Sequence, residues 1–146
     1  MFVSVTRLRL RSFRYFPAFA WHTWTSTRQI QRAAGFVGGY LAAEGARGAW
    51  TLTGWTSEAA MRQYRNSDAH KRAMPKLIDW CDEASVAHWE QDSPVLPTLA
   101  ESLRRMVGEG RCSKVRHPSS AHAEGRIAPA GKVPQGGLPI APAGRG

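Results

Sequence analysis

Apolar residues alternate with polar residues at the start of the chain, and the spacing then becomes helical. From Phe2 to Leu10 both sides of the alternation carry apolar side chains, which predicts a strand with two partly buried faces. From Tyr15 to Arg32 apolar residues recur at steps of three and four, and Pro17 suits a first turn, so a helix is predicted. The predicted apolar face of this helix consists of Phe16, Phe19, Ala20, Thr23, Thr27 and Ile30.

Two further strands are predicted to form a hairpin. They run from Phe36 to Ala43 and from Ala49 to Gly54, and the segment between them is a turn rich in glycine. The pair Gly38-Gly39 lies inside the first of these strands and indicates a bulge or a close approach of two backbones.

A helical region and a fourth strand follow the hairpin. Thr56 or Ser57 is predicted to cap a helix, which breaks around residues 66–68, and Pro75 predicts a kink or a restart. Glu83 to Gln91 is predicted to be the fourth strand. The resulting order, β-α-β-β-α-β, is the α+β arrangement called ferredoxin-like, with the first and third strands as the central pair.

The chain divides into three predicted parts. Residues 1–92 form the ferredoxin-like domain, and residues 93–111 contain a linker followed by a C-terminal amphipathic helix from Thr98 to Gly110. Residues 112–146 form a basic tail rich in Pro and Gly, which is predicted to be largely disordered.

The charge of +9 and the pI of about 10.6 permit contact with nucleic acid or with an anionic membrane. Residues 1–43 contain six Arg and no acidic residue. RNA-recognition modules of this topology need aromatic residues on the central strands, and here only Trp50 is offered, so nucleic-acid binding is not expected. No apolar run of about 18 residues is present, so no membrane-spanning helix is expected.

Cys81 and Cys112 are the only cysteines, and their separation does not fit a disulfide framework or a zinc knuckle. We therefore expect reduced cysteines, a cytoplasmic location and no metal site. The sequence motifs of serine hydrolases, zinc proteases, nucleoside triphosphatases and dinucleotide-binding proteins are absent.

The stretch TLTGWTSEAAMRQYRNSDAHKRAM, followed by LIDWCDEASVAHWE, resembles the antibiotic biosynthesis monooxygenase-like group of the dimeric α+β barrel superfamily. The step from Ser67 to His70 carries part of this resemblance, which covers about residues 1–92. The chain is also similar to bacterial proteins labelled spheroidene monooxygenase-like. The resemblance implies a homodimer in which two sheets meet, each with a pocket between sheet and helices. A sheet covered by helices on one face only also needs a second layer on the other face.

His70 is the first candidate for chemistry, because the resemblance places it near the pocket mouth as a general base or as an axial ligand of haem. The alternative is an exposed polar residue on a basic helix. The cofactor is therefore either none or haem. Haem-degrading relatives use an Asn on the first strand, which this chain lacks, and that absence argues against haem degradation.

Other residues are candidates for substrate binding. Arg7, Arg9 and Arg65 are candidate anion clamps, although a solvated basic face is the favoured interpretation. His22 and His88 are interpreted as structural histidines. The predicted substrate-binding set consists of Trp24, Trp55, Tyr64, Arg65 and Trp80, with a core role as the alternative for the aromatic residues.

The resemblance implies a monooxygenase-like oxidation of an apolar aromatic or polyene small molecule in the pocket between sheet and helices. The alternative is a ligand-binding or structural dimer of the same fold without catalysis. A pocket filled by Trp24, Trp55 and Trp80 would favour that alternative.

Overall fold

The computed structural model describes residues 1–127 and 137–144 of the chain. Within these residues all strands belong to one antiparallel sheet with the order β5-β4-β1-β3-β2-β6. The strands are β1 (Phe2–Leu10), β2 (Phe36–Glu44), β3 (Gly48–Trp55), β4 (Cys81–Glu90), β5 (Arg111–Cys112) and β6 (Leu138–Ile140). The helices are α1 (Phe16–Ile30), α2 (Glu58–Arg65), α3 (Asp68–Trp80), α4 (Leu99–Glu109) and α5 (Ser120–Ala123), and a 3-10 helix (Phe13–Tyr15) precedes α1.

The predicted ferredoxin-like core is confirmed. β1 lies between β3 and β4, so the first and third strands are central, and β2 and β3 form the predicted hairpin. The register of that hairpin shifts between Phe36 and Gly38, where the glycine pair predicted a bulge. The hydroxyl of Ser57 accepts a hydrogen bond from the backbone N–H of Ala60 and caps α2.

The break between α2 and α3 is confirmed, but the helix continues through Pro75. The chain leaves α2 at Asn66 and restarts after Ser67, and Asp68 adopts a positive φ of 48°. α3 then runs without interruption to Trp80. Proline removes only the hydrogen bond to the carbonyl four residues earlier, at Lys71. Both residues are exposed, so water can satisfy that carbonyl.

The face of the sheet opposite α1 and α3 is covered within the same chain. Val3, Val5 and Leu52 are almost fully buried there, beneath Met106 of α4. Trp50 is 3 % exposed in the same cluster, so it offers no stacking surface for RNA bases. The expectation that this face lies uncovered is therefore wrong for the single chain, because α4 and the segment after it supply the second layer.

Arg7 is buried on this covered face, contrary to the interpretation as a solvated residue. It is 1 % exposed and pairs with Glu44 and Glu83, with closest N–O distances of 2.7 Å in each pair. Trp50 Nε1–H also donates to Glu44, and the hydroxyl of Ser119 donates to Glu83. Burial lowers the pKa of Arg7, but the hydrogen bonds and charges of the two carboxylates outweigh this effect and raise the pKa.

The prediction of a disordered tail needs correction within residues 112–127 and 137–144. Backbone N–H groups of Ser113, Arg116 and Ser119 donate to carbonyl groups at or near β4, which places this segment along the sheet. β6 pairs with β2 at the opposite edge, and Ile140 is buried. The unpaired edges of β4 and β2 supply the backbone partners that composition alone does not reveal. Residues 128–136 and 145–146 of the predicted tail lie outside the described residues.

No helix in the described part of the chain is long and apolar enough to cross a lipid bilayer. α1, the longest, has 15 residues and carries several polar side chains.

Candidate functional site

A cavity of about 730 Å³ lies between the sheet and the layer formed by α1, α2 and α3. Alternate residues of the central strands point into it, because side chains along a strand alternate between the two faces. The opposite residues of the same strands form the core beneath α4. The volume is in the range of ordinary small-molecule sites.

The cavity wall combines apolar side chains with hydroxyl groups. Phe19 and Ile30 from α1, Leu8 from β1 and Met61 from α2 supply apolar surface. The hydroxyl-bearing residues include Ser4, Thr6, Thr51 and Thr53 from the sheet and Thr23, Ser26 and Thr27 from α1. Such a wall buries an apolar body and offers hydrogen bonds to a few polar substituents.

His70 lies at this wall with its imidazole held in one orientation. Its Nδ1 is 3.2 Å from the carbonyl oxygen of Arg65, so the Nδ1–H donates and Nε2 carries the free lone pair. Its backbone N–H donates to Oε1 of Gln29 at 2.9 Å, which ties α3 to α1. Burial lowers the pKa of His70, and the nearby Arg65 charge acts in the same direction. The imidazole is therefore neutral at pH 7 and can accept a proton.

Trp55 and Tyr64 form the aromatic part of the wall next to His70. Trp55 is fully buried, and its ring centroid lies 5.3 Å from that of Tyr64. The ring of Tyr64 lies 4.9 Å from the imidazole of His70, and its hydroxyl donates to the carbonyl of Ser26. Burial raises the pKa of Tyr64, so this phenol stays protonated.

The mouth of the cavity lies between α3 and β5, where the exposed lining residues cluster. Met74 is exposed on α3, and Arg111, Cys112 and Lys114 are exposed in and after β5. Arg65 lines the cavity as well. Arg65, Arg111 and Lys114 give the mouth a positive charge, which favours an acidic substituent on a ligand.

Two predicted substrate-binding residues lie outside this cavity. Trp24 is on the outer side of α1, is 53 % exposed and lines a separate surface cleft. Trp80 packs against Tyr15 and His22 at the end of α3. The structure therefore brings together Trp55, Tyr64, Arg65 and His70 and separates Trp24 and Trp80 from them, because neither helix turns its tryptophan toward the sheet.

His22 and His88 also line the cavity, although the sequence favoured structural roles for them. His88 lies on β4 at the parity of Ala84 and Val86, which face the same cavity. Strand parity could therefore have identified it. His22 contacts Lys76, with 3.3 Å between Nε2 and Nζ. Within residues 1–127 and 137–144, His, Cys, Asp and Glu side chains form no group of three that could hold a metal ion.

We expect the protein to lose stability on acidification because of the three histidines that line the cavity. Burial is the main reason that the pKa values of His22, His70 and His88 are lowered. Below about pH 6.5 the unfolded chain binds protons that the folded chain does not, so the free energy of unfolding falls as the pH falls. We expect urea unfolding to show this decline between about pH 7 and pH 5, with a smaller decline in a variant in which all three are Gln. Equal declines would contradict this assignment.

No protein-family model matches the chain, and no curated protein sequence matches it. Several solved structures match its fold. An antibiotic biosynthesis monooxygenase structure aligns with a TM-score of 0.57 and 8% identity, covering 64% of this chain and 100% of that one. A putative antibiotic biosynthesis monooxygenase from Nitrosomonas europaea aligns with a TM-score of 0.56 and 12% identity, covering 64% of this chain and 100% of that one. The chain has the fold of the antibiotic biosynthesis monooxygenases.

A third structure with this fold is SnoaB, a cofactor-independent oxygenase from Streptomyces nogalater. It aligns with a TM-score of 0.53 and 16% identity, covering 66% of this chain and 97% of that one. The TM-scores establish a shared fold, whereas the low sequence identities leave the activity to be argued from the cavity. The finer resemblance to spheroidene monooxygenase-like proteins stays a prediction.

Proposed function

We propose that this protein is a monooxygenase-like enzyme that oxidises an apolar aromatic or polyene small molecule in the cavity between its sheet and helices. The observation that carries this proposal is the neutral imidazole of His70, which lines the cavity with Nδ1–H donated to the carbonyl of Arg65. The SnoaB structure shares this fold and is a cofactor-independent oxygenase, which adds support.

In the proposed reaction Nε2 of His70 removes a proton from an electron-rich substrate with an activated CH₂ group. The substrate anion gives one electron to dioxygen, and the resulting radical and superoxide combine to form a C–O bond. His70 returns its proton to the peroxide anion and then removes the second proton from the same carbon, while the O–O bond breaks and hydroxide leaves. The hydroxide takes this proton from His70 and departs as water. The CH₂ group has become a carbonyl, with one oxygen atom in the product and one in water. The apolar part of the wall limits the contact of the anion with bulk water.

The wall and the mouth define the substrate class. Apolar surface from Leu8, Phe19 and Met74 suits a fused aromatic or polyene body, and the hydroxyls of Thr6 and Thr51 suit its oxygen substituents. The cationic mouth, formed in part by Arg65, suits an acidic group at one end.

Haem assistance is a variant of this proposal. The donor set fits, because Nε2 of His70 would bind the iron, and Arg65 and Arg111 would pair with the carboxylate groups of haem. Bound haem would supply redox chemistry at its iron. In this variant, haem added to the wild-type protein shifts its Soret band, and His70→Ala removes the shift. An unchanged band in the wild type would eliminate the variant.

The alternative function is ligand binding or a structural role without catalysis. That alternative predicted a pocket filled by tryptophans, whereas Trp24 and Trp80 lie outside a cavity of about 730 Å³. This geometry favours a site that holds a ligand. Oxygen consumption distinguishes catalysis from binding.

The homodimer and the cytoplasmic location remain part of the proposal. In a dimeric barrel the sheet face beneath α4 would meet a second sheet, so α4 would have to leave Val3, Val5 and Trp50. The cavity itself is built by one chain. Light scattering of the purified protein measures the oligomeric state directly.

A cavity-filling substitution tests the site. We expect Ser26→Phe, which projects into the cavity, to weaken binding of an apolar fluorescent probe at least tenfold, because its ring occupies the volume of the ligand. Thr25→Phe is the matched control, since Thr25 directly precedes Ser26 on α1 but faces the surface cleft. Ser26→Phe should also lower oxygen uptake with electron-rich polycyclic phenols and the incorporation of labelled oxygen into the product. Thr25→Phe should leave both nearly unchanged. Equal effects of the two variants would mean that the probe binds outside this cavity. If the wild-type protein takes up no oxygen with any such substrate, the proposed oxidation is wrong and ligand binding without catalysis is the remaining function.

A further inference from the structure

In the described part of the chain, the strongly exposed aromatic residues lie between Phe13 and Trp24. Phe13, Phe16, Trp21 and Trp24 are between 53 and 62 % exposed, and we call Trp21 and Trp24 the aromatic ridge. Trp21 and Trp24 lie on one outer stripe of α1 together with Pro17 and Arg28, at helical steps of four, three and four. The two indole rings are 5.3 Å apart. A folded chain rarely leaves such a patch without a partner.

The surface next to the aromatic ridge is strongly basic. Arg28, Arg32 and Arg72 line a cleft of about 510 Å³ with Trp24, and Asp68 is the single acidic residue among the lining residues. Arg28 lies over the ring of Trp24, with its guanidinium carbon 5.5 Å from the ring centroid. We call the three arginines of this surface the basic cleft.

We infer that the aromatic ridge and the basic cleft dock the protein onto an anionic lipid bilayer. Tryptophan prefers the boundary between lipid headgroups and acyl chains, where its ring is buried and its N–H stays hydrated. Arginine beside it pairs with lipid phosphates. A helix that presents both groups on one face lies in the plane of the membrane.

The charge of this face argues against a second copy as the partner. Residues 1–43 contain no acidic residue, so a symmetric contact through α1 would bring Arg28 and Arg32 of one copy near those of the other without carboxylates from α1 to pair them. An anionic surface complements the same charges. This inference is independent of the proposed oxygenase function, because α1 turns its opposite side to the cavity.

Sedimentation of the full chain with vesicles tests the inference without any substrate. We expect binding to vesicles of phosphatidylcholine with about one third phosphatidylglycerol, and little binding to phosphatidylcholine alone. Raising the salt from about 0.1 M to about 0.5 M should release the protein in part. Tryptophan emission should shift to the blue on binding, since Trp21 and Trp24 leave water.

Two variants separate the two components of the face. Trp21→Ser with Trp24→Ser should weaken partitioning about tenfold or more, because two indole rings no longer enter the interface. Arg28→Gln with Arg32→Gln should weaken it about tenfold to thirtyfold at low salt and much less at high salt. Val107→Ser is the matched control, since Val107 is exposed on α4 at the other face of the sheet, and this change should leave partitioning unaltered.

Several results would overturn the inference. The inference is wrong if the wild-type protein does not sediment with anionic vesicles at low salt, or if the tryptophan variant binds as tightly as the wild type. If the wild type is a dimer in solution and the tryptophan variant is a monomer, the aromatic ridge joins two copies instead. Binding to an acidic polypeptide or to RNA in preference to the vesicles would assign the face to that partner.

Discussion

Replacing His70 with Gln is expected to slow the proposed oxidation by about 10²- to 10⁴-fold, the usual contribution of a general base. Glutamine keeps the approximate size of the side chain but accepts no proton at neutral pH. Because Nε2 of His70 would act on bound substrate, the loss should appear in kcat, while the affinity for the fluorescent probe changes little. Steady-state oxygen uptake and probe titration measure these two quantities.

The pH profile of the wild type gives a second readout of His70. Burial lowers the pKa of His70, so the rate should stay high through neutral pH and fall only below about pH 6.5 as the imidazole takes up a proton. His88→Gln is the matched control, since His88 lines the same cavity from β4. If His88→Gln causes the larger loss of kcat, the base is His88 and the proposed mechanism needs that residue in place of His70.

Replacing Arg7 with Met should lower the free energy of unfolding by about 3–5 kcal/mol, which is the usual cost of removing one partner from a buried charge network. Glu44 and Glu83 would be left as buried carboxylates without the guanidinium that now donates to both. Urea unfolding followed by circular dichroism measures the change.

Arg9→Met is the comparison for Arg7, because Arg9 is the next arginine on β1 and remains partly exposed, pairing with Asp82 at 2.8 Å and more loosely with Glu83 at 3.3 Å. We expect a loss of about 1 kcal/mol or less for this variant. Combining Arg7→Met with Glu44→Gln and Glu83→Gln should recover part of the stability, since the buried negative charges that the guanidinium balanced are removed together with it. Equal losses for the Arg7 and Arg9 variants would mean that burial of the network has little energetic weight.

One face of the sheet is covered by α4 of the same chain. Where the resemblance implies a second sheet, this chain places α4 and Met106 over Val3, Val5 and Trp50. Arg7 and its carboxylates complete the same layer, with Ser119 donating to Glu83. The cavity proposed for catalysis lies on the other face of the sheet and is lined by residues of one chain.

Local sequence signals located most of the elements. Alternation predicted β1 within its observed bounds, and the cap at Ser57 and the break after Asn66 located α2 and α3. These signals depend on a few neighbouring residues, so they can be read without the fold. The prediction that the helix restarts at Pro75 was wrong, because the loss of one hydrogen bond on an exposed side of a helix is tolerated.

The candidate site was predictable only in part. Trp55, Tyr64, Arg65 and His70 follow one another closely along the chain, and all four line the cavity. Trp24 was chosen as an aromatic residue on α1, but the rotation of that helix turns it to the surface. His88 was assigned a structural role, although its alternation with Ala84 and Val86 along β4 places it on the cavity face of the sheet.

By itself the sequence determined the order of strands and helices, the basic charge of residues 1–43 and the fold class, because alternation, capping and composition act locally. Only the tertiary structure decided that Arg7 is buried, that α4 covers the second sheet face and that β6 joins the sheet. It also decided which aromatic residues of α1 stay exposed. These outcomes depend on contacts between residues far apart in the chain, where burial and pairing with charges balance each other, and no local pattern encodes that balance.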